Sequence, residues 1–120
     1  MSLLFDAMSE EEWVDTLLAW GKQGGWLGTH FRAAKTNKGY RTPLQGDKGY
    51  VDITFSHVVL KRTLFVEAKS AKGVLRPEQK LWRDALLASG EEWFLWKPKD
   101  REEARQILLG HMPERKVQWG

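Results

Sequence analysis

Two β-branched and aromatic runs, residues 51–60 and 63–68, are separated only by Lys61-Arg62, and this arrangement restricts the chain more than any other feature. Runs rich in Val, Ile, Thr and Phe favour extended backbone, so the pattern predicts two neighbouring strands in an antiparallel pair. Neither run is purely apolar. Asp52 stands near the start of the first, and Glu67-Ala68-Lys69 closes the second. Side chains two apart on a strand share a face, so Glu67 and Lys69 point one way while Leu64, Val66 and Ala68 point the other, into a core. A fold for this sequence must give the charged face a use, and the register that would place Asp52 against it is open at this stage.

The surroundings supply helices to cover such a sheet. Ser9 followed by Glu12 reads as a capping box, and Trp13, Val14, Leu17, Leu18 and Trp20 recur at helical spacing until Gly24-Gly25. Residues 26–33 alternate as a strand, and 35–48, polar and containing Pro43, reads as a basic loop. After Lys72-Gly73, Pro77 opens a helix with an apolar stripe of Leu81, Trp82, Ala85 and Leu86, ended by Gly90. A strand over 92–96 follows, and Asp100 with Glu103 suggests a second capping box before Ala104, Ile107 and Leu108. The order α-β-β-β-α-β-α predicts an α/β fold, a small sheet flanked by helices.

With 120 residues the chain suits one domain rather than two. A net charge of +3 and a pI of 9.3 permit nucleic-acid partners without requiring them. The absence of cysteine excludes disulfides and thiolate zinc sites, so a metal here would be held by oxygen or imidazole. No apolar run reaches the roughly 20 residues of a membrane span, and the N-terminus lacks the order of a signal peptide, so a cytoplasmic protein without a membrane partner is expected.

Asp52 and Glu67 on neighbouring strands bring two carboxylates toward one point, a costly like-charge pair unless a cation lies between them. Hard Mg²⁺ or Mn²⁺ takes such oxygen ligands while keeping waters, and can polarise a phosphoryl oxygen. A lysine alongside offsets charge developing in a phosphodiester transition state or orients the attacking water. The bland alternative is a surface ion-pair group worth at most about 1 kcal/mol.

These residues resemble a known family. Asp52 followed by Glu67-Ala68-Lys69 is similar to the PD-(D/E)XK nuclease motif. The continuation through Gly73, Pro77-Glu78-Gln79, Trp82, Gly90, 93–96 and Pro98-Lys99-Asp100 resembles its VRR-NUC branch, the virus-type replication and repair nucleases, as does the upstream stretch 25–31, GWLGTHF. The likeness runs over about 9–109 of a single domain, 1–120, and implies the PD-(D/E)XK fold with a small mixed central sheet. It also implies a Mg²⁺- or Mn²⁺-dependent DNA endonuclease with no organic cofactor. Asp52, Glu67 and the Ala68 carbonyl would hold metal, Lys69 would serve the water and transition state, and Gln79 would approach the metal water or scissile phosphate. An additional acid is expected on the first helix. Among Glu10, Glu11 and Glu12, helix phase selects Glu10, three before Trp13 and four before Val14.

Two positions depart from the family pattern: Val51 where a proline usually precedes the aspartate, and Arg76 where a Ser or Thr often caps the helix. Small members of the family resemble Holliday-junction resolvases, which implies branched or duplex DNA as partner, a homodimer, and a phage or mobile-element source acting in host cytoplasm. Flap or duplex cleavage and a non-catalytic DNA-binding module that retains the fold are the alternatives. Lys35, Lys38, Arg41, Lys48, Lys72, Arg76 and Lys80 flank the motif in sequence and are the candidate phosphate contacts. Trp13, Trp20, Trp82, Trp93 and Trp96 read as core rather than base-stacking residues, leaving Trp26 and Trp119 unassigned. His30 falls where the family often has a histidine, with phosphate contact and a structural role both open, while His57 and His111 read as surface residues.

Overall fold

The structure, a computed structural model, describes residues 3–31, 34–36, 39–41 and 45–110, and for residues 3, 34–36 and 39–41 the backbone alone. In chain order the elements are α1 (Leu3–Asp6), α2 (Glu10–Gln23), β1 (Leu27–His30), β2 (Ala34–Thr36), β3 (Gly39–Arg41), β4 (Ile53–His57), β5 (Arg62–Ala68), α3 (Pro77–Ala88), β6 (Glu92–Trp96), a 3₁₀ turn (Pro98–Asp100) and α4 (Arg101–Leu108). Four strands form one sheet in the order β1-β4-β5-β6. β1, β4 and β5 pair antiparallel, and β6 joins β5 in parallel after the crossover through α3, so the sheet is mixed.

The core lies between one sheet face and helices α2 and α4. Leu64, Val66 and Ala68 of β5 are fully buried there with Trp13, Leu17, Phe55, Trp96, Ile107 and Leu108. The capping box at the start of α2 is complete: Glu12 N–H donates to Ser9 Oγ at 3.1 Å, and Ser9 N–H donates to the Glu12 carboxylate at 2.9 Å. Two indoles tie the layers together. Trp13 Nε1 donates to the Trp96 carbonyl at 2.8 Å, which fixes the first turns of α2 at the end of β6. Trp26 Nε1 donates to the Leu108 carbonyl at 3.0 Å, placing this tryptophan in the core as well.

Several elements differ from the sequence reading. The run 51–60 yields a shorter strand, because β4 ends at His57 and residues 58–61 turn, with Lys61 in the left-handed region at φ 54. That connection leaves Val58 and Val59 exposed at the hairpin tip despite their β propensity. His57, expected on the surface, is buried: its Nδ1 accepts from Leu60 N–H at 3.2 Å and its Nε2 donates to the Gly24 carbonyl at 2.9 Å. Within the stretch read as a loop, β2 and β3 form a two-stranded antiparallel ribbon of their own. Their short, largely polar strands carry little of the apolar alternation on which a strand assignment rests.

Helix α3 departs furthest. Gln79 is its buried residue, while Leu81 of the expected apolar stripe is 71% exposed and Ala85 is also exposed. Trp82 is half-buried beneath the segment that leads into β4, donating to the carbonyls of Asp47 at 3.3 Å and Lys48 at 3.1 Å and meeting Tyr50 edge-on at 5.0 Å. Gly49 makes that close approach possible. Its φ is +96, and a Cβ there would lie 2.6 Å from the Glu78 carbonyl oxygen. The second expected capping box is also replaced: Asp100 turns back to accept from Lys97 N–H at 2.9 Å, and Glu103 accepts from Trp96 Nε1 at 3.4 Å. Trp93 and Trp96 are buried and Trp20 is partly so, whereas His111 and Trp119 lie outside the described residues. Among the described residues no helix is long and apolar enough to cross a membrane.

Candidate functional site

The register of the central hairpin answers the question posed by its charges. Thr54 pairs with Phe65 and Ile53 with Val66, so continuing by one residue beyond the ladder sets Asp52 opposite Glu67. Directly opposed side chains in an antiparallel pair have Cβ atoms about 5 Å apart, and like charges so placed repel. The contact is made closer by the backbone: Ala68 N–H donates to Asp52 Oδ2 at 2.8 Å. Because the N–H and C=O of one strand residue face the same neighbour, the Ala68 carbonyl also faces Asp52.

Glu67 is fully buried, an unusual place for a carboxylate. Its Oε1 accepts from Gln79 Nε2 at 3.2 Å, while its Oε2, in the ionised form, meets no donor. Burial above all, then the charge of Asp52 and a proton-mediated bond to it, push the Glu67 carboxyl up to about 9, with Lys69 and Arg76 opposing. Glu67 therefore holds its proton at neutral pH when nothing more positive lies beside it. Gln79 is placed by its own helix terminus: its Oε1 accepts Arg76 N–H at 2.8 Å, half of a capping box. Only one orientation of the amide satisfies both the N–H and the carboxylate. Sequence reasoning directed Gln79 toward water or phosphate; the structure sets it against Glu67.

Lys69 follows β5 on the same face as Glu67 and is buried, its N–H donating to the Trp96 carbonyl at 3.2 Å. The turn after it folds over its side chain. A Cβ at Gly73 would lie 3.0 Å from Lys69 Cβ and 3.3 Å from Lys69 Cδ, so the glycine leaves room for the lysine stem. Glu10, at the start of α2, faces the same centre. Although the residue is exposed, partial burial raises its carboxyl, with the Lys69 charge acting in the opposite direction, Asp52 adding to the rise, and Arg76 and His30 opposing.

His30 completes the group, and the register shows why. It pairs with Ile53, next to Asp52, and donates through Nδ1 to the Asp52 carbonyl at 2.9 Å. The available sequence signal was its place in the 25–31 stretch, at the end of a strand pattern. The structure thus assembles Glu10, Asp52, Glu67, Ala68, Lys69 and Gln79 with His30 and the charge of Arg76.

The other candidate cations lie farther out. Arg76 is exposed and paired to Glu78 at 3.0 Å. Lys48, Lys72 and Lys80 are exposed on the 45–50 segment, the turn before α3, and α3. Lys35 and Arg41 lie on the β2–β3 ribbon with their side chains outside the described residues, as is the whole of Lys38.

For a divalent cation, the test is Glu67 Oε2: a buried carboxylate oxygen without a donor, facing a second carboxylate across the hairpin. Two carboxylates and one carbonyl suit a hard cation that keeps waters in its remaining positions. Among the described residues no group of three or more His, Cys, Asp or Glu side chains is arranged to hold a metal.

What the fold and site define is a mixed four-stranded α/β sheet carrying a carboxylate pair and a lysine at the open end of its central hairpin. Comparison with protein-family models, curated proteins and solved structures found no significant match to the chain.

Proposed function

We propose that this chain is a Mg²⁺- or Mn²⁺-dependent DNA endonuclease of the PD-(D/E)XK fold, akin to the VRR-NUC nucleases that its motifs resemble. The observation carrying this reading is Asp52 opposite a buried Glu67 whose Oε2, in the ionised form, meets no donor, with Lys69 on the same face. Asp52, Glu67 and the Ala68 carbonyl would hold a divalent cation, which would supply polarisation of a phosphoryl oxygen and activation of water. The chain's own residues do the rest. Gln79 restrains Glu67 through Oε1 and leaves Oε2 directed at the site, while the Ala68 N–H restrains one oxygen of Asp52. Lys69 supplies fixed positive charge where phosphoryl oxygens gain negative charge, and Glu10 holds the lysine charge toward that point. Arg76, Lys72 and Lys80 contact flanking phosphates, giving salt-dependent binding with little sequence information.

The substrate we favour is branched DNA, cut in the manner of a Holliday-junction resolvase by a homodimer whose two-fold axis matches the symmetry of the junction. Labelled four-way junction, flap and linear duplex, each incubated with Mg²⁺, Mn²⁺ or EDTA, test the reading against Lys69→Ala. Junction cleavage that requires metal and is lost in the variant supports it. Cleavage of flap or linear DNA alone keeps the chemistry and replaces the substrate. Binding without cleavage under every condition leaves a DNA-binding module that retains the fold.

A further inference from the structure

We propose that His30 is the positioning residue for Asp52, fixing the backbone that presents this carboxylate to Glu67. Asp52 precedes the β4 ladder, whose first pair is His30 with Ile53, so it lies where the sheet stops restraining the chain. Two bonds restrain it instead. The Ala68 N–H holds its carboxylate at 2.8 Å, and the His30 Nδ1–H holds its carbonyl at 2.9 Å. A carbonyl can only accept, so this contact requires a proton on Nδ1 and turns the ring in a defined direction. The two clamps grip the same residue from opposite ends. With the carbonyl released, Asp52 can rotate about its own backbone dihedrals, and its carboxylate drifts from the position facing Glu67 Oε2.

The clamp stands on these contacts alone; its consequence for metal and cleavage rests on the nuclease reading. An asparagine places its amide Nδ2 where histidine places Nδ1, whereas glutamine places its amide one atom too far. His30→Asn therefore retains the clamp, and His30→Ala and His30→Gln abolish it. Amide hydrogen exchange at Ala68, followed by NMR on metal-free protein, reads the clamp directly. Exchange is expected to accelerate on the order of tenfold in the Ala and Gln variants and to stay near wild type in the Asn variant. ¹⁵N shifts of the His30 ring should show the Nδ1–H tautomer. Mn²⁺ titration without DNA should then give affinity about 10- to 100-fold weaker for His30→Ala, as for loss of an outer-shell partner, with His30→Asn restoring most of it.

Unchanged Ala68 exchange in both Ala and Gln variants, or a ring carrying its proton on Nε2, overturns the proposal. Should wild-type protein bind no Mn²⁺, the nuclease reading fails while the exchange and tautomer results still decide the clamp. Equal loss of Mn²⁺ affinity in His30→Asn and His30→Ala, with Ala68 exchange preserved in the former, overturns positioning in favour of direct contact through Nε2.

Discussion

Replacing Glu67 with glutamine should make the metal-free protein more stable, and increasingly so as pH rises. In the native state burial and Asp52 hold the Glu67 proton up to about 9, whereas the unfolded chain releases it near the ordinary value of 4.5. Between those values the folded protein carries one more proton than the unfolded one, so raising the pH favours unfolding; below the lower value both states are protonated and the difference vanishes. Each pH unit in that window costs up to about 1.4 kcal/mol, which sums to about 4 kcal/mol at pH 7.5 as an upper limit. Because part of the rise comes from interaction with Asp52, about 2 kcal/mol is the lower figure. Glutamine removes the cost because it never ionises. Its oxygen can accept from Gln79 Nε2, and its amide can donate to Asp52 in place of the Glu67 proton.

For a domain of this length about 1 kcal/mol corresponds to roughly 4 °C, so Glu67→Gln should raise Tm by about 8–16 °C at pH 7.5 in EDTA. Urea unfolding at pH steps from 4.5 to 8 supplies the free energies. The two proteins should converge at the acid end, and the wild type alone should gain stability from added Mg²⁺ or Mn²⁺ at the alkaline end. A variant that is less stable than wild type at pH 7.5, or a difference independent of pH, would refute this account of the carboxylate pair.

Other substitutions probe the supports of the site. Gly49→Ala, which needs a positive φ and meets the Glu78 carbonyl, should cost about 3 kcal/mol in urea unfolding and loosen the segment leading to Asp52. Gln79→Ala leaves both the Arg76 N–H and Glu67 Oε1 without a partner and should cost about 2 kcal/mol, read by thermal unfolding, as well as lowering cleavage. Gly73→Val crowds the Lys69 stem, so cleavage of labelled DNA should fall several-fold more than any loss of Tm explains. Arg62→Ala removes a two-point contact with Glu92, both distances 2.7 Å, that joins the starts of β5 and β6; it should cost about 1 kcal/mol and leave cleavage unchanged.

Legibility in the sequence followed the range of the forces involved. The Ser9 capping box, the Pro77 start of α3 and the strand at 92–96 are local, and each is found where spacing and turn chemistry put it. The separation of Leu64, Val66 and Ala68 from Glu67 and Lys69 follows from strand alternation and is seen in the core. Glu10 came from helix phase, and its carboxyl responds to Lys69 and Asp52. What escaped depends on contacts between distant segments. The stripe on α3 predicted burial, yet Trp82 turns toward the 47–50 segment and Leu81 faces solvent. His57 has no sequence neighbour that announces the Gly24 carbonyl waiting for it. His30 and Gln79 were legible as polar residues near a motif, but their partners, the Asp52 carbonyl and Glu67 Oε1, emerge only from strand register and helix placement.

Anomalous scattering from Mn²⁺-soaked crystals grown without DNA tests the central claim most directly. The account predicts a single strong peak within bonding distance of Asp52, Glu67 Oε2 and the Ala68 carbonyl, lost in Glu67→Gln. No peak there in crystals soaked in saturating Mn²⁺ would contradict it.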